Sequence, residues 1–280
     1  MLNSIDNKNI INVRKIFQGR RILICGKGGS GKSTIITLLA RTLASLDCKV
    51  IMLDADASNP GGLCRMLFGP IAPPKPLIDF FGGREKVECP VDNPSPLTRI
   101  NNDLPIIENP LNLKEIPVEY YHKENNITIF QVGKINQPYE GCDGPMSKIA
   151  RDFVLDDEGI ILIDVEAGIE HYGRGIEKNI DIVLVTVDPT FESVLIAEKV
   201  HYLCGIMNIN NVWIIINKIH TEEEKSILMD ELQKTEVNIL GIVYFDEKIL
   251  NAGLRGLPIQ NYDIHNEIHN MLTDLILKLK

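Results

Sequence analysis

The chain contains the stretch Gly26-Lys27-Gly28-Gly29-Ser30-Gly31-Lys32-Ser33-Thr34, which decides how the rest of the sequence is interpreted. An apolar run, Arg21–Cys25, comes directly before it, and apolar residues at helical spacing follow over Lys32–Leu46. The pattern G-x-x-x-x-G-K-S/T between a strand and a helix is typical of a loop that binds phosphate groups. The backbone N–H groups of such a loop surround a β-phosphate at the positive end of the helix.

Three side chains of this loop have expected roles. Lys32 would reach the β- and γ-phosphate oxygens, the Ser33 hydroxyl would ligate Mg²⁺, and Thr34 would lie near the α-phosphate. We therefore predict that ATP with Mg²⁺ is bound by Gly28, Gly29, Ser30, Gly31, Lys32, Ser33 and Thr34.

Seven short apolar runs alternate with helical patterns along the chain. Their hydrophobicity is continuous, as in strands that helices cover on both faces. We predict a doubly wound α/β fold with a mainly parallel sheet of seven or eight strands and helices on both faces. The runs are Arg21–Cys25, Val50–Asp54, Ile127–Val132, Ile160–Asp164, Ile182–Val187, Val212–Ile216 and Ile239–Tyr244. The helical patterns are Lys32–Leu46, Met146–Val154, Phe191–Cys204, Glu222–Lys234 and Ile264–Leu279.

Residues 69–126 interrupt this alternation. Ten of the 15 prolines lie between Gly69 and Pro117, where apolar runs are few. We interpret residues 1–280 as a single domain with an irregular, proline-rich insertion at 69–126. Such an insertion is either a flexible surface excursion or a lid or partner-docking element.

The amino-acid composition limits the classes of partner and the cell compartment to be expected. The chain has 29 basic and 38 acidic side chains and a net charge of −9, which argues against nucleic acid or an anionic membrane as partner. No apolar run approaches the length of a membrane span, and the start, Met1 to Gln18, does not resemble a signal peptide. The six cysteines include no CxxC pair. We expect a cytoplasmic protein.

Carboxylates follow two of the predicted strands. Asp54 and Asp56 lie at the carboxyl end of one strand and on one face, where ligands of open α/β sheets bind. Capping of the next helix is the other reading of this pair. Asp164 follows four apolar residues, and we expect it to hold Mg²⁺ through water.

Two residues after another strand are candidates for contacts to the base. The Asn217 amide can both donate to and accept from adenine, and the Lys218 stem could cover the ring. An ordinary turn explains the pair Asn-Lys as well.

The lysine at position 27 adds a resemblance. Lys-Gly-Gly-x-Gly-Lys-Ser/Thr resembles the phosphate loop of the MinD, ParA and nitrogenase iron-protein group of P-loop ATPases. The resemblance implies an ATP-bridged homodimer in which Lys27 crosses to the partner's nucleotide and acts with Lys32, Asp56 and Asp164 in hydrolysis. By the same resemblance, Asp56 orients or deprotonates the attacking water and Asp54 supports the Mg²⁺ shell. Gly168 would lie near the γ-phosphate and Phe245 near the base.

The sequence Asp164-Val165-Glu166-Ala167-Gly168-Ile169-Glu170-His171-Tyr172-Gly173-Arg174-Gly175 closely resembles the second switch of the CooC family. That family matures the nickel centre of carbon monoxide dehydrogenase and acetyl-CoA synthase. The resemblance implies an ATPase that is slow without its client and delivers a nickel ion bound at the dimer interface. His171 could be a ligand, although a polar contact is the more common role of a lone histidine.

One departure from that family lies at Gly141-Cys142-Asp143-Gly144-Pro145. Nickel-binding members carry Cys-x-Cys-Pro, and here Gly144 replaces the second cysteine. Cys142 remains a candidate nickel ligand, and Asp143 of each subunit could then complete a set of four ligands. The alternative is that Cys142 is a structural cysteine.

Two other functions stay open from the sequence. An ATP-gated reductase would need an interface iron–sulfur cluster held by Cys89 and Cys142, with Cys89 brought beside Cys142 across the proline-rich segment. A MinD- or ParA-like positioning ATPase fits the acidic charge poorly. The C-terminal pattern Ile264–Leu279 lacks a basic face and indicates a core-packing helix rather than a membrane anchor.

Overall fold

The computed structural model describes residues 13–59, 61–260 and 265–279. These residues form one sheet of eight strands in the order β3-β4-β2-β5-β1-β6-β7-β8. The short edge strand β3 pairs antiparallel with β4, and the remaining neighbours pair in parallel. The mainly parallel sheet is therefore confirmed. The strands are β1 Arg21–Gly26, β2 Val50–Asp54, β3 His122–Glu124, β4 Ile127–Gln131, β5 Ile160–Asp164, β6 Ile182–Val187, β7 Val212–Ile219 and β8 Asn238–Tyr244.

Helices cover both faces of this sheet. α1, α2 and α8 contribute to the hydrophobic cluster on one face, and α4, α5 and α6 to the cluster on the other. Residues 13–17 are also helical. The helices are α1 Lys32–Ser45, α2 Gly62–Phe68, α3 Leu77–Phe80, α4 Gly144–Asp152, α5 Phe191–Ile206, α6 Glu222–Gln233, α7 Glu247–Arg255 and α8 His265–Lys278. Short 3-10 helices span Leu113–Glu115, Val118–Tyr120, Glu170–Arg174 and Ile176–Asn179.

The central strand β1 shows why the apolar runs are continuous. All six of its residues are buried, with Ile22 and Ile24 in one cluster and Leu23 and Cys25 in the other. Successive side chains of a strand point to opposite faces, so a strand covered on both sides needs apolar residues at every position. Because β1 lies between β5 and β6, the loop that follows it sits where the strand order reverses.

The proline-rich segment packs against the sheet. Leu77, Val87, Leu97 and Ile106 are buried in the same cluster as α4 and α5. The helix α3, the strand β3 and two of the 3-10 helices fall within residues 69–126. The segment therefore packs on the same face of the sheet as α4 and α5.

The C-terminal helix α8 is a core element. Ile268, Met271, Leu272 and Leu275 are buried against the face that α1 covers, as predicted for a core-packing helix. Within the described residues, no helix is both long and apolar enough to cross a bilayer. Ile264, where this helix was predicted to begin, and residues 1–12 of the predicted non-signal start lie outside the described residues.

Candidate nucleotide-binding site

The loop between β1 and α1 is curled as its glycines allow. Gly26, Gly29 and Gly31 have φ values of 138°, 81° and 96°. A β-carbon on Gly31 would lie 2.2 Å from Nδ2 of Asn217, and one on Gly26 would lie 2.4 Å from the carbonyl oxygen of Thr186. Both positions therefore require glycine for space as well as for conformation.

The Lys32 ammonium lies inside this curl. Its Nζ donates to the carbonyl oxygens of Gly26 at 3.4 Å and Lys27 at 3.3 Å, and the residue is buried. A buried cation at the amino end of a helix, within a ring of backbone, forms a site for a polyanion. The predicted role of Lys32 at the phosphates fits this position.

Oxygen atoms suited to Mg²⁺ lie beside the loop. The Ser33 hydroxyl donates to Oδ2 of Asp164 at 2.7 Å, and Oδ1 of Asp164 is buried without a hydrogen-bond partner among the described residues. Burial, with the nearby Asp54, raises the pKa of Asp164 to about 7. A hard divalent cation prefers such hydroxyl and carboxylate ligands and would favour the ionised form, so these residues fit Mg²⁺.

The two carboxylates after β2 have different surroundings. Asp54 is buried and accepts a hydrogen bond from Nζ of Lys134 at 2.7 Å, a partner that the sequence did not indicate. Burial raises the pKa of Asp54 to about 6, against the effect of Lys134. Asp56 is half-buried and accepts from the backbone N–H of Ser58 at 2.9 Å. Gly61 precedes α2 at the capping position, so the helix-capping reading of this pair is wrong.

Residues 164–175, which resemble a second switch, are hydrogen-bonded to the phosphate loop. The N–H of Gly168 donates to the carbonyl oxygen of Gly26 at 3.1 Å. Beyond it, residues Glu170–Arg174 form a 3-10 helix in which His171 is buried and bonded through Nδ1 to Glu177. The polar-contact reading of His171 matches this pairing.

A cavity of about 310 Å³ adjoins the loop at the ends of β7 and β8. Asn217 lines it, and its Nδ2 also donates to the carbonyl oxygen of Ser30 at 2.8 Å, while Nζ of Lys218 donates to that of Gly29 at 2.6 Å. The Phe245 ring stacks on His220 at 4.3 Å. The cavity is lined by Thr34, Asn217, Lys218, Val243, Tyr244, Phe245, Asp246, Ile249, Leu250, Gly253 and Leu254. Thus the three residues predicted to contact the base share one cavity with Thr34.

Lys27 is held within its own chain. Its Nζ donates to Oγ1 of Thr190 at 3.1 Å and lies 3.6 Å from Oδ2 of Asp188. Burial by itself would raise the pKa of Asp188. Hydrogen bonds from Ser193 and Thr190, together with the charge of Lys27, nevertheless hold this pKa below its usual range. Neither Asp188 nor Thr190 was expected from the sequence, although both are polar residues just after β6, at the same sheet edge.

The cysteines separate into two groups. Cys25, Cys48, Cys64 and Cys204 are buried, as predicted, whereas Cys142 is exposed and Cys89 is half-buried. The Asp143 carboxylate, expected as a further metal ligand, is paired with Nη1 of Arg174 at 2.6 Å. Across the described ranges, no three or more His, Cys, Asp or Glu side chains are grouped to hold a metal ion.

Several known proteins resemble this chain in sequence or in fold. An ATP-binding protein of Methanocaldococcus jannaschii is 32% identical over 244 residues, 84% of this chain and 92% of the relative. The carbon monoxide dehydrogenase accessory protein CooC of Rhodospirillum rubrum is 28% identical over 243 residues, 85% of this chain and 88% of its own. The MinD cell division protein of Aquifex aeolicus, 23% identical, superposes with a TM-score of 0.60 over 91% of this chain and 96% of MinD. The model of the CobQ/CobB/MinD/ParA nucleotide binding domain matches residues 22–259, and the chain therefore belongs to this family of P-loop proteins.

Proposed function

We propose that the chain is a single-domain, cytoplasmic ATPase that works as an ATP-bridged homodimer and assists nickel insertion into an enzyme of the carbon monoxide dehydrogenase or acetyl-CoA synthase type. The relative named CooC, at 28% identity, supports this choice within the family. So does the likeness of residues 164–175 to the second switch of the CooC family.

One observation carries the proposal: a short connection between the phosphate loop and Cys142. Gly168 donates to the loop at Gly26, and the 3-10 helix that follows it ends at Arg174. Arg174 pairs with Asp143, the neighbour of Cys142. A change at the γ-phosphate position would thus move a cationic group that contacts the cysteine segment, which is the coupling that an ATP-driven carrier needs.

The residues of the site have proposed roles in hydrolysis of ATP to ADP and phosphate. Lys32 and the loop N–H groups bind the phosphates, and Ser33 and Asp164 hold Mg²⁺, which neutralises charge on the transferred phosphoryl group. Asp56 orients the attacking water, and Asp54, which pairs with Lys134, supports the Mg²⁺ shell.

Lys27 has the proposed role of joining the two subunits. In the single chain its ammonium rests on Asp188 and Thr190. On dimerisation it would leave both and contact the partner's nucleotide. The intrachain pair is partly exposed, so breaking it costs little, on the order of 1 kcal/mol or less.

The test follows ATP hydrolysis, dimerisation and bound nickel in the same protein. We expect the parent to dimerise with ATP and to bind about one nickel ion per dimer, Lys32→Ala to lose nucleotide binding, and Asp56→Ala to stay dimeric with ATP uncleaved. Lys27→Ala should bind ATP and remain monomeric. If Lys27→Ala dimerises as tightly as the parent, the role of Lys27 between subunits is wrong.

A positioning ATPase of the MinD or ParA type is the second candidate. Several curated relatives are named as septum site-determining MinD proteins, at 21–23% identity. Such a protein would bind DNA or liposomes in an ATP- and salt-dependent way. Binding of this kind, together with a nickel-free dimer, would replace the nickel function by this one.

A further inference from the structure

Cys89 occupies the space that a side chain at position 144 would fill. A β-carbon built on Gly144 would lie 2.5 Å from Sγ of Cys89 and 2.9 Å from its Cβ. The same atom would lie 3.3 Å from Sγ of Cys142. The missing side chain of Gly144 therefore leaves room for a thiol that reaches it from the proline-rich segment, 55 positions earlier in the chain.

These distances bring two sulfur atoms together. The sum of the two sulfur distances sets an upper limit of about 5.8 Å on the separation of the Cys89 and Cys142 sulfurs. Two sulfurs that bind one metal ion at about 2.3 Å each are at most about 4.6 Å apart. Because Cys142 is exposed, rotation of its side chain can close the difference.

Two basic side chains lie near this pair of thiols. Arg84 donates through Nη1 to the carbonyl oxygen of Cys142, and its Nη2 is buried without a hydrogen-bond partner among the described residues. Burial lowers the pKa of Lys148, and Cys89 is among the neighbours that oppose this shift. Cations near a thiolate-rich metal site offset the negative charge that such a site accumulates.

A single chain offers two ligands here, since Asp143 is already paired with Arg174. Soft divalent ions such as Zn²⁺ and Ni²⁺ take four ligands in thiolate sites. A second copy of the chain, with its own pair of sulfurs, would complete the set. Both sulfurs lie beside the first turn of α4, next to the segment that Arg174 connects to the second switch.

We propose that Cys89 and Cys142 form a two-thiol half-site for a thiophilic divalent cation, in which Cys89 supplies the sulfur that Gly144 lacks, and that the same pair of a second copy completes it. The proposal rests on the ATP-bridged dimer of the proposed function. It changes the expected ligand set from two thiolates per dimer to four.

The test adds Ni²⁺ alone to the reduced, full-length protein, with and without a non-hydrolysable ATP analogue, and measures metal after desalting. We expect one nickel per two chains in the dimer and an ultraviolet thiolate-to-nickel absorption band. Cys89→Ser and Cys142→Ser should each lose the band and the tightly held nickel. Cys48→Ser is the matched control, because Cys48 is a buried cysteine that lies just before the amino end of β2. This variant should keep the nickel and the absorption band.

A double variant makes the test independent of folding defects. Cys89→Gly with Gly144→Cys removes the Cys89 atoms that a β-carbon at position 144 would meet, places a sulfur at that position, and should recover nickel and band. Nucleotide binding and ATP-dependent dimerisation, measured in the same samples, should stay at the parent level in every variant.

Each contrary result has a distinct meaning. If Cys89→Ser keeps the parent's nickel, or if the double variant recovers none, the assignment of Cys89 is wrong. Iron and sulfide in the anaerobically purified parent would overturn the divalent-cation assignment. If the parent hydrolyses ATP and dimerises but binds no nickel, the half-site fails while the ATP switch stands. Nickel held by a monomer that ATP does not dimerise overturns the shared site together with the dimer.

Discussion

Replacing Asp164 by asparagine should remove a pH-dependent loss of stability from the ligand-free protein and abolish its Mg²⁺-dependent hydrolysis. Asp164 is buried, and the pKa of its carboxyl rises from the ordinary 3.8 to about 7. At pH values between these two pKa values, the folded chain therefore holds a proton on Asp164 that the unfolded chain has released. Because the folded state holds more protons there, the free energy of unfolding falls as pH rises through this window.

The magnitude follows from the shift. One pKa unit corresponds to about 1.4 kcal/mol, and integration from about pH 5 to about pH 8 gives a loss of about 2–3 kcal/mol from Asp164. Asparagine keeps an acceptor for the Ser33 hydroxyl but buries an amide with no partner in place of Oδ1, which costs about 1–3 kcal/mol at every pH. The slope with pH is therefore the informative quantity, rather than the stability at one pH.

The assay is urea unfolding of the parent and of Asp164→Asn at several pH values, without nucleotide and with a chelator. Asp157→Asn serves as the control, because Asp157 forms an ion pair with Lys49 near the surface. The control should retain the parent's decline between about pH 5 and about pH 8. An equal decline in Asp164→Asn would refute the reasoning and assign the pH dependence elsewhere.

Three further outcomes test the phosphate loop and its neighbours. Lys32→Ala should remove ATP binding in calorimetry while the far-ultraviolet circular dichroism is unchanged, and retained binding would contradict its place at the phosphates. Asn217→Ala leaves the Ser30 carbonyl without its donor, so ATP affinity should fall about tenfold in the same titration, whereas an unchanged affinity would mean that the contact carries no weight. Asp188→Ala removes the charged partner of Lys27 in both subunits, so sedimentation should show an ATP-dependent dimer up to about thirtyfold tighter, from about 1 kcal/mol in each chain; a weaker dimer would place Asp188 in the interface itself.

The strands could be predicted because their signal is local. Strands buried on both faces are continuous apolar runs, and seven were found in that way. The edge strand β3 escaped because its three residues, His122, Lys123 and Glu124, are polar and half-buried or exposed. The helix α7 escaped because its contribution to the core is small: Ile249 packs against the core and Ala252 is buried, whereas Leu250 and Leu254 line the cavity and are exposed.

Some residues of the site could be predicted from local motifs, and others could not. The phosphate loop directly follows β1, Asp164 ends β5, and Asn217 lies near the carboxyl end of β7, so a motif tied to strand ends was enough to find them. The partners Lys134 and Asp188 were missed because each is brought to its site by a different strand, 80 and 161 positions away from Asp54 and Lys27. Cys89 was paired with Cys142 only as a hypothesis, since nothing in the proline-rich segment shows where it packs.

The antiparallel strand β3 has a consequence for how copies of this chain can meet. It is three residues long, it ends one side of the sheet, and two of its residues are exposed and charged, Lys123 and Glu124. A short charged edge is a poor template for the strand of another molecule, so it resists fibre-like growth of the sheet. Association by strand pairing is thereby disfavoured at this edge of the sheet. A protein whose pairing is meant to be reversible benefits from an edge that cannot pair on its own.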